Sequence, residues 1–194
     1  MKLLWTGSDV LFATRPIGGK KFPTKKSKWI YFIGCMIFAK IADLFVEYHY
    51  VVSNHLIEEL KPLKFKKNIK ILIDPPKSFP NIKKKPHDGF NVLYYRCLGT
   101  NMPFKNWVYG YDIISKVKWH FKTNPDIHFI EVNGNSDMNE IYAITNVYCR
   151  CCRHDGAPRM IMECEQLGIP YYWSKENPDF LDIINFIEKE YKNV

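Results

Sequence analysis

The residues with the clearest chemical potential lie in RHDGAPRMIMECEQLGIP, which runs from Arg153 to Pro170. Asp155 and Glu163 are separated by seven residues, so one acid falls in a loop and the other about two turns up the helix that follows. Gly156, Ala157 and Pro158 form a small-residue entrance to that helix, which leaves backbone N–H groups open to a phosphate or a sugar hydroxyl. His154, beside Asp155, either donates to such a ligand or braces the loop. The purely structural alternative has Asp155 capping the helix and Glu163 paired with Arg159, an interaction worth only ~0.3 kcal/mol. Two cations stand earlier in the chain. Arg96 ends the run FNVLYYR, and Lys105 follows nine residues later in the loop ahead of YGYDIISKV. By themselves they are indistinguishable from ordinary surface cations.

These residues need a scaffold that presents loops to a ligand. Short β-type runs alternate with helical ones, which predicts an α/β fold with parallel strands joined by crossover helices. Strands are expected near Leu3 to Trp5, His49 to Val52, Ile69 to Ile73, Phe90 to Tyr95, Ile127 to Val132, Val147 to Cys151 and Ile169 to Trp173. Helices are expected from Ser53 to Leu60 with Ser53 as the cap, from about Arg159 to Leu167, and through Phe180, Ile183, Ile184 and Ile187 after Pro178. In open α/β sheets ligands sit outside the carboxyl ends of the strands, so the loops after Tyr95, Val132 and Cys151 carry the chemistry. The segment DPPKSFPNIKKKPHDG, Asp74 to Gly89, holds four prolines and four lysines without apolar periodicity and is the best linker in the chain.

The acid, seven-residue, acid pattern with its ECEQLGIP continuation resembles retaining glycosyltransferases of the GT-B fold, especially family 4. In that family the second acid binds the nucleotide ribose, the first acid and loop amides bind the donor sugar, and Arg and Lys on an earlier loop hold the diphosphate. The resemblance implies that Glu163 takes the ribose, that Asp155 takes the sugar with His154, Gly156, Ala157 and Pro158, and that Arg96 and Lys105 hold the diphosphate. Two departures are visible: the first acid is Asp155 where the family usually has Glu, and Tyr109, not lysine, adjoins Gly110. WTGSDVL, from Trp5, and HYVVSNHLIEEL, from His49, resemble segments late in the family's N-terminal domain.

The likeness thus begins midway through that domain, without counterparts of the glycine-rich donor loop and most acceptor strands. It implies a shortened N-terminal α/β portion (1–74), a linker (75–89) and a Rossmann-like nucleotide-sugar-binding domain (90–194). VNGNSDMNEIY, between Val132 and Tyr142, leaves little room for the strand that often frames the base. The implied activity is transfer of a hexose from a nucleotide-diphosphate sugar to an acceptor, with retention and without a metal or other cofactor. A partner-dependent or non-catalytic sugar-nucleotide-binding half is the alternative, completed by a second subunit or a second copy.

With 194 residues, 46% hydrophobic and 15% aromatic, the chain has ample material for a packed core. The net charge of +8 suits an anionic partner. A nucleic-acid-binding module is disfavoured because the lysines cluster in two linkers instead of interleaving with aromatics. The six cysteines lack a disulfide-like framework and no cleavable signal precedes them, which predicts reduced thiols and a cytoplasmic setting. Cys149, Cys151, Cys152 and His154 suggest a soft-metal cluster, but strand alternation sends Cys152 away from Cys149 and Cys151, so no metal site is predicted. The longest apolar run, Trp29 to Val46, is interrupted by Lys40 and Asp43 and is not predicted to span a membrane. It is either a buried helix after a solvated loop or an interfacial helix, where each of the preceding lysines at 20, 21, 25, 26 and 28 adds about 1 kcal/mol beside anionic lipid.

Overall fold

The computed structural model describes residues 2–5, 25–52, 54–72, 82–96, 103–133, 136–153, 158–174 and 178–193, with the backbone alone at 25–31, 54–55 and 103–105. The chain divides into two compact units, Met1–Pro75 and a second formed by Pro76–Arg153 with Pro158–Val194.

In the first unit β1 (Lys2–Trp5), β2 (Tyr48–Val51) and β3 (Ile69–Ile71) form a parallel sheet in that order, with Trp5 opposite Val51 and Val51 opposite Ile71. Helix α1 (Lys25–Phe45) and α2 (Asn54–Leu60), followed by a 3-10 turn at Lys61–Leu63, complete the unit. Its core joins Trp5, Ala39, Val51, Leu56, Leu60 and Leu63. The expected Ser53 cap lies outside the described residues, as does Ile73 at the end of the third strand.

A buried polar chain runs through this unit. The Trp5 indole N–H donates to His49 Nδ1 at 3.0 Å, and His49 Nε2 lies 2.9 Å from Asp43 Oδ1. An indole N–H only donates, so Nδ1 is the acceptor and the proton on Nε2 is donated to Asp43. The backbone N–H groups of Lys66 and Lys67 also donate to Asp43, at 2.7 and 3.1 Å, and Phe65 stacks on the imidazole at 3.9 Å. Burial pushes the Asp43 carboxyl up, but these N–H donors and His49 outweigh it and hold the group below its ordinary value. The Asp43 that interrupts the apolar run is therefore an internal anchor, and Lys40 donates to the carbonyls of Leu63 and Lys64. Among the described residues no helix is long and apolar enough to cross a membrane.

In the second unit β4 (Phe90–Tyr95), β5 (Ile127–Val132), β6 (Val147–Arg150) and β7 (Tyr171–Trp173) form a parallel sheet ordered β5-β4-β6-β7. Strand β4 is central and buried nearly throughout, as expected of a parallel strand covered on both faces. On one face Phe90, Val92, Tyr94, Val147 and Cys149 pack against α4 (Tyr111–His120) and α7 (Phe180–Tyr191). On the other, Leu93, Tyr95 and Tyr148 pack against α5 (Met138–Ile144) and α6 (Arg159–Leu167). The short helix α3 (Pro103–Val108) precedes α4. The fold is thus α/β with a Rossmann-like parallel sheet.

Local chemistry explains the element ends. Asp137 and Asp179 cap α5 and α7 through the N–H groups of Asn139 and Leu181. Gly168, at φ 66°, ends α6, and the Ile169 N–H returns to the Cys164 carbonyl. That closure, with Pro170 behind it, delays β7 to Tyr171 instead of the expected Ile169. Residues 82–89, within the segment expected to be a linker, lie against α5: the Lys85 N–H donates to the Ala143 carbonyl at 2.9 Å, and Lys84 Nζ donates to the Thr145 carbonyl at 2.5 Å.

Candidate donor-binding site

In the second sheet the chain runs from β4 outward to β5, then crosses back over β4 to β6, so the order reverses between β4 and β6. At such a switch point the flanking loops leave in opposite directions and open a crevice outside the strands' carboxyl ends. A small, open cleft lies there, lined by Tyr94, Tyr95, Tyr109, Ile114, Cys149, Arg150 and Cys151. The guanidinium of Arg150 sits 5.4 Å from the Tyr95 ring and 5.9 Å from the Tyr109 ring, and these two rings are 5.8 Å apart. A planar cation over aromatic faces suits an anionic or π-rich ligand.

One glycine determines how closely the wall of this cleft can approach the sheet. Gly110 stands between α3 and α4 at φ 67°, and a Cβ there would lie 1.8 Å from the Cys151 carbonyl oxygen. Only glycine fits both the backbone conformation and the approach. Arg153 secures the same junction. Its backbone N–H donates to the Val108 carbonyl, while its guanidinium donates to both carboxylate oxygens of Asp112 at 2.8 and 3.0 Å and to the Trp107 carbonyl at 2.5 Å. The first residue of the motif therefore braces the strand exit.

Arg96 follows β4 directly. Its guanidinium stacks 4.5 Å from the Tyr111 ring and donates to Glu131 Oε1 at 3.2 Å. Burial alone lowers its pKa, but the Glu131 contact reverses this and the group stays cationic. Tyr94 donates to the other Glu131 oxygen at 2.6 Å; burial first and then that bond push its phenol well up, so it remains a donor. Lys105, expected in a loop, instead lies in α3. Pro103 presets a helical φ at the helix start, and the left-handed Gly110 separates α3 from α4. The Lys105 side chain, and His154, Asp155, Gly156 and Ala157, lie outside the described residues.

Pro158 is buried and occupies the N-cap of α6, at the helix entrance as expected; among the described residues no side chain caps this end. Glu163 sits on the inner face of α6, 5% exposed, and accepts a hydrogen bond from the Tyr142 hydroxyl at 2.5 Å. The alternative pairing with Arg159 is therefore replaced by a neutral donor from α5. Burial and the Glu163 contact push the Tyr142 phenol well up, which keeps its proton in place.

Arg96 and Glu163 consequently belong to opposite faces of the sheet: Arg96 stacks on Tyr111 of α4, and Glu163 lies with Tyr142 among the α5 and α6 residues. Arg150 and Tyr95, which sequence reasoning did not single out, belong to the Glu163 face. Arg150 could have been found by the rule that selected Arg96, because it too closes a strand. Tyr142 offered no such signal, since its pairing with Glu163 spans 21 residues. Cys149 and Cys151 share one face as strand alternation predicts, and burial raises the Cys151 thiol to about 12. Among the described residues no group of three or more His, Cys, Asp or Glu is arranged to hold a metal ion.

The fold has counterparts among solved structures. The crystal structure of TarM aligns over 99% of this chain with a TM-score of 0.55 and 10% identity. At that identity the likeness is one of fold. The pneumococcal O-GlcNAc transferase GtfA, solved in complex with UDP and GlcNAc, aligns over 98% with a TM-score of 0.51 and 12% identity. The chain spans 46% of the TarM chain and 45% of the GtfA chain. No protein-family model and no curated protein matches the sequence.

Proposed function

We propose that the chain binds a nucleotide-diphosphate sugar in the switch-point crevice of its second unit and transfers the sugar, with retention, to an acceptor. The observation that carries this reading is the crevice between β4 and β6, lined by Arg150 at the end of β6, with Arg96 directly after β4. In this reading Arg96 and Lys105 meet the charge of the leaving diphosphate together with backbone N–H groups at Gly156 and Ala157. Fixed cations and amides of this kind stabilise charge where it develops in the transition state, and no metal ion is required. Asp155 and His154 orient the donor sugar, and Glu163 accepts from the ribose. GtfA, solved with UDP and GlcNAc, supports this ligand class by fold likeness.

A second reading follows from the 46% and 45% coverage: a sugar-nucleotide-binding portion that needs a further segment or subunit to complete the cleft. Gel filtration with a donor-hydrolysis assay separates the two. A monomer that binds donor and never hydrolyses it favours the second.

The primary test is a thermal-shift screen of UDP, GDP, ADP and dTDP sugars, followed by calorimetry. A ligand that binds only the native state at ~100 Kd adds about 2.7 kcal/mol of stability. One nucleotide class should raise the melting temperature, and Arg96→Ala should weaken its binding by ~1.5–3 kcal/mol as a charge-assisted contact is lost. Absence of any shift at millimolar donor would overturn the proposal.

A further inference from the structure

Six of the eleven large apolar side chains exposed among the described residues lie on one helix: Ile33, Ile37, Phe38, Ile41, Leu44 and Phe45 of α1. Their exposure runs from 43% at Ile33 to 68% at Phe45. The spacings of four, one and three residues place them on one continuous face. The opposite face is already committed, with Ala39 in the core and Ala42 and Asp43 buried. A helix apolar on both sides requires a cover for its outer side, and a contiguous apolar surface of this kind marks an interaction site.

The charge pattern around that face identifies the cover. From Val10 to Ala42 the sequence carries Arg15 and lysines 20, 21, 25, 26, 28 and 40, with no aspartate or glutamate. The next acid, Asp43, is buried against His49 and the backbone of Lys66 and Lys67, so it offers no compensating surface charge. Lys40 is tied to the carbonyls of Leu63 and Lys64, which leaves the cations clustered toward the start of the helix. An apolar helical face combined with an acid-free basic stretch is complementary to a bilayer surface rich in anionic headgroups: apolar side chains enter the acyl boundary and cations meet the phosphates.

We propose that the outer face of α1 docks the protein on an anionic membrane surface, with the helix lying in the interface plane. This is independent of the sugar-transfer reading. It would bring the donor site to the membrane whatever the acceptor.

The test is co-sedimentation of the 194-residue chain with vesicles of phosphatidylcholine alone, or with about one-third phosphatidylglycerol. Partition to the anionic vesicles should exceed that to neutral ones by at least about tenfold and should weaken steeply as salt shortens the Debye length. The double substitution Phe38→Ser and Phe45→Ser, at exposed positions, should reduce partition by about tenfold or more with an unchanged melting temperature. Equal partition to both vesicle types, or none to either, overturns the proposal. So does a solution dimer of the unaltered chain that the double variant abolishes, because the face is then an interface between copies. If the double variant fails to fold, lipid composition and salt dependence decide alone.

Discussion

Among the described residues each unit buries one carboxylate, and the two are held in different ways. Asp43, in the first unit, accepts from His49 Nε2 and from the backbone N–H groups of Lys66 and Lys67. Glu163, in the second, accepts among the described residues from one neutral phenol, that of Tyr142. A carboxylate offers about four acceptor positions. Asp43 uses three of them to tie α1 to β2 and to the chain ahead of β3. Glu163, 5% exposed on the inner face of α6, uses one of them among the described residues. An acid engaged this fully is a structural tie; the ribose-binding role proposed for Glu163 needs the acceptor positions that a single hydroxyl does not fill.

That contrast is most exposed to Asp43→Ala. Removal leaves the His49 N–H and two backbone N–H groups without their acceptor, so stability should fall by ~3–5 kcal/mol in urea unfolding. A loss below ~1 kcal/mol would show that the first unit does not depend on this tie. Next in size, Glu163→Gln retains an acceptor for Tyr142 and should leave stability within ~1 kcal/mol, while donor binding measured by calorimetry weakens by ~1.5–3 kcal/mol. Equal donor affinity would reassign Glu163 to the core. Tyr142→Phe should cost about 1 kcal/mol of stability, and its effect on donor affinity reports whether the hydroxyl orients Glu163.

The smallest difference is expected in acid. The folded pKa of Asp43 is depressed, so its contribution is complete above the unfolded value of ~3.9 and is lost as pH falls through the folded value. The urea midpoint of the unaltered chain should therefore drop more steeply than that of Asp43→Ala as pH is lowered from ~5 toward 3. Parallel curves would remove Asp43 from the acid limb.

Much of the element order was legible because it rests on local signals. Phe90–Tyr95 and Ile127–Val132 are short runs rich in β-branched, aromatic and aliphatic residues, and they occur as strands where expected. Helix α6 spans Arg159–Leu167 as its apolar spacing and the following Gly168 predict. Errors concentrate where a boundary depends on hydrogen bonds formed in three dimensions. The Cys164 carbonyl captures the Ile169 N–H and delays β7, and Lys105 joins a short helix instead of a loop.

Chain order, strand identity and the two acids seven residues apart are properties of local sequence, fixed by side-chain periodicity and by Gly and Pro at the breaks. The pairing of Asp43 with His49, the pairing of Glu163 with Tyr142, and the assignment of Arg96 and Arg150 to opposite faces of one sheet were decided by tertiary structure. Each depends on which strand neighbours which and on which face a side chain leaves. One-dimensional spacing carries no record of a contact between residues brought together only by a crossover.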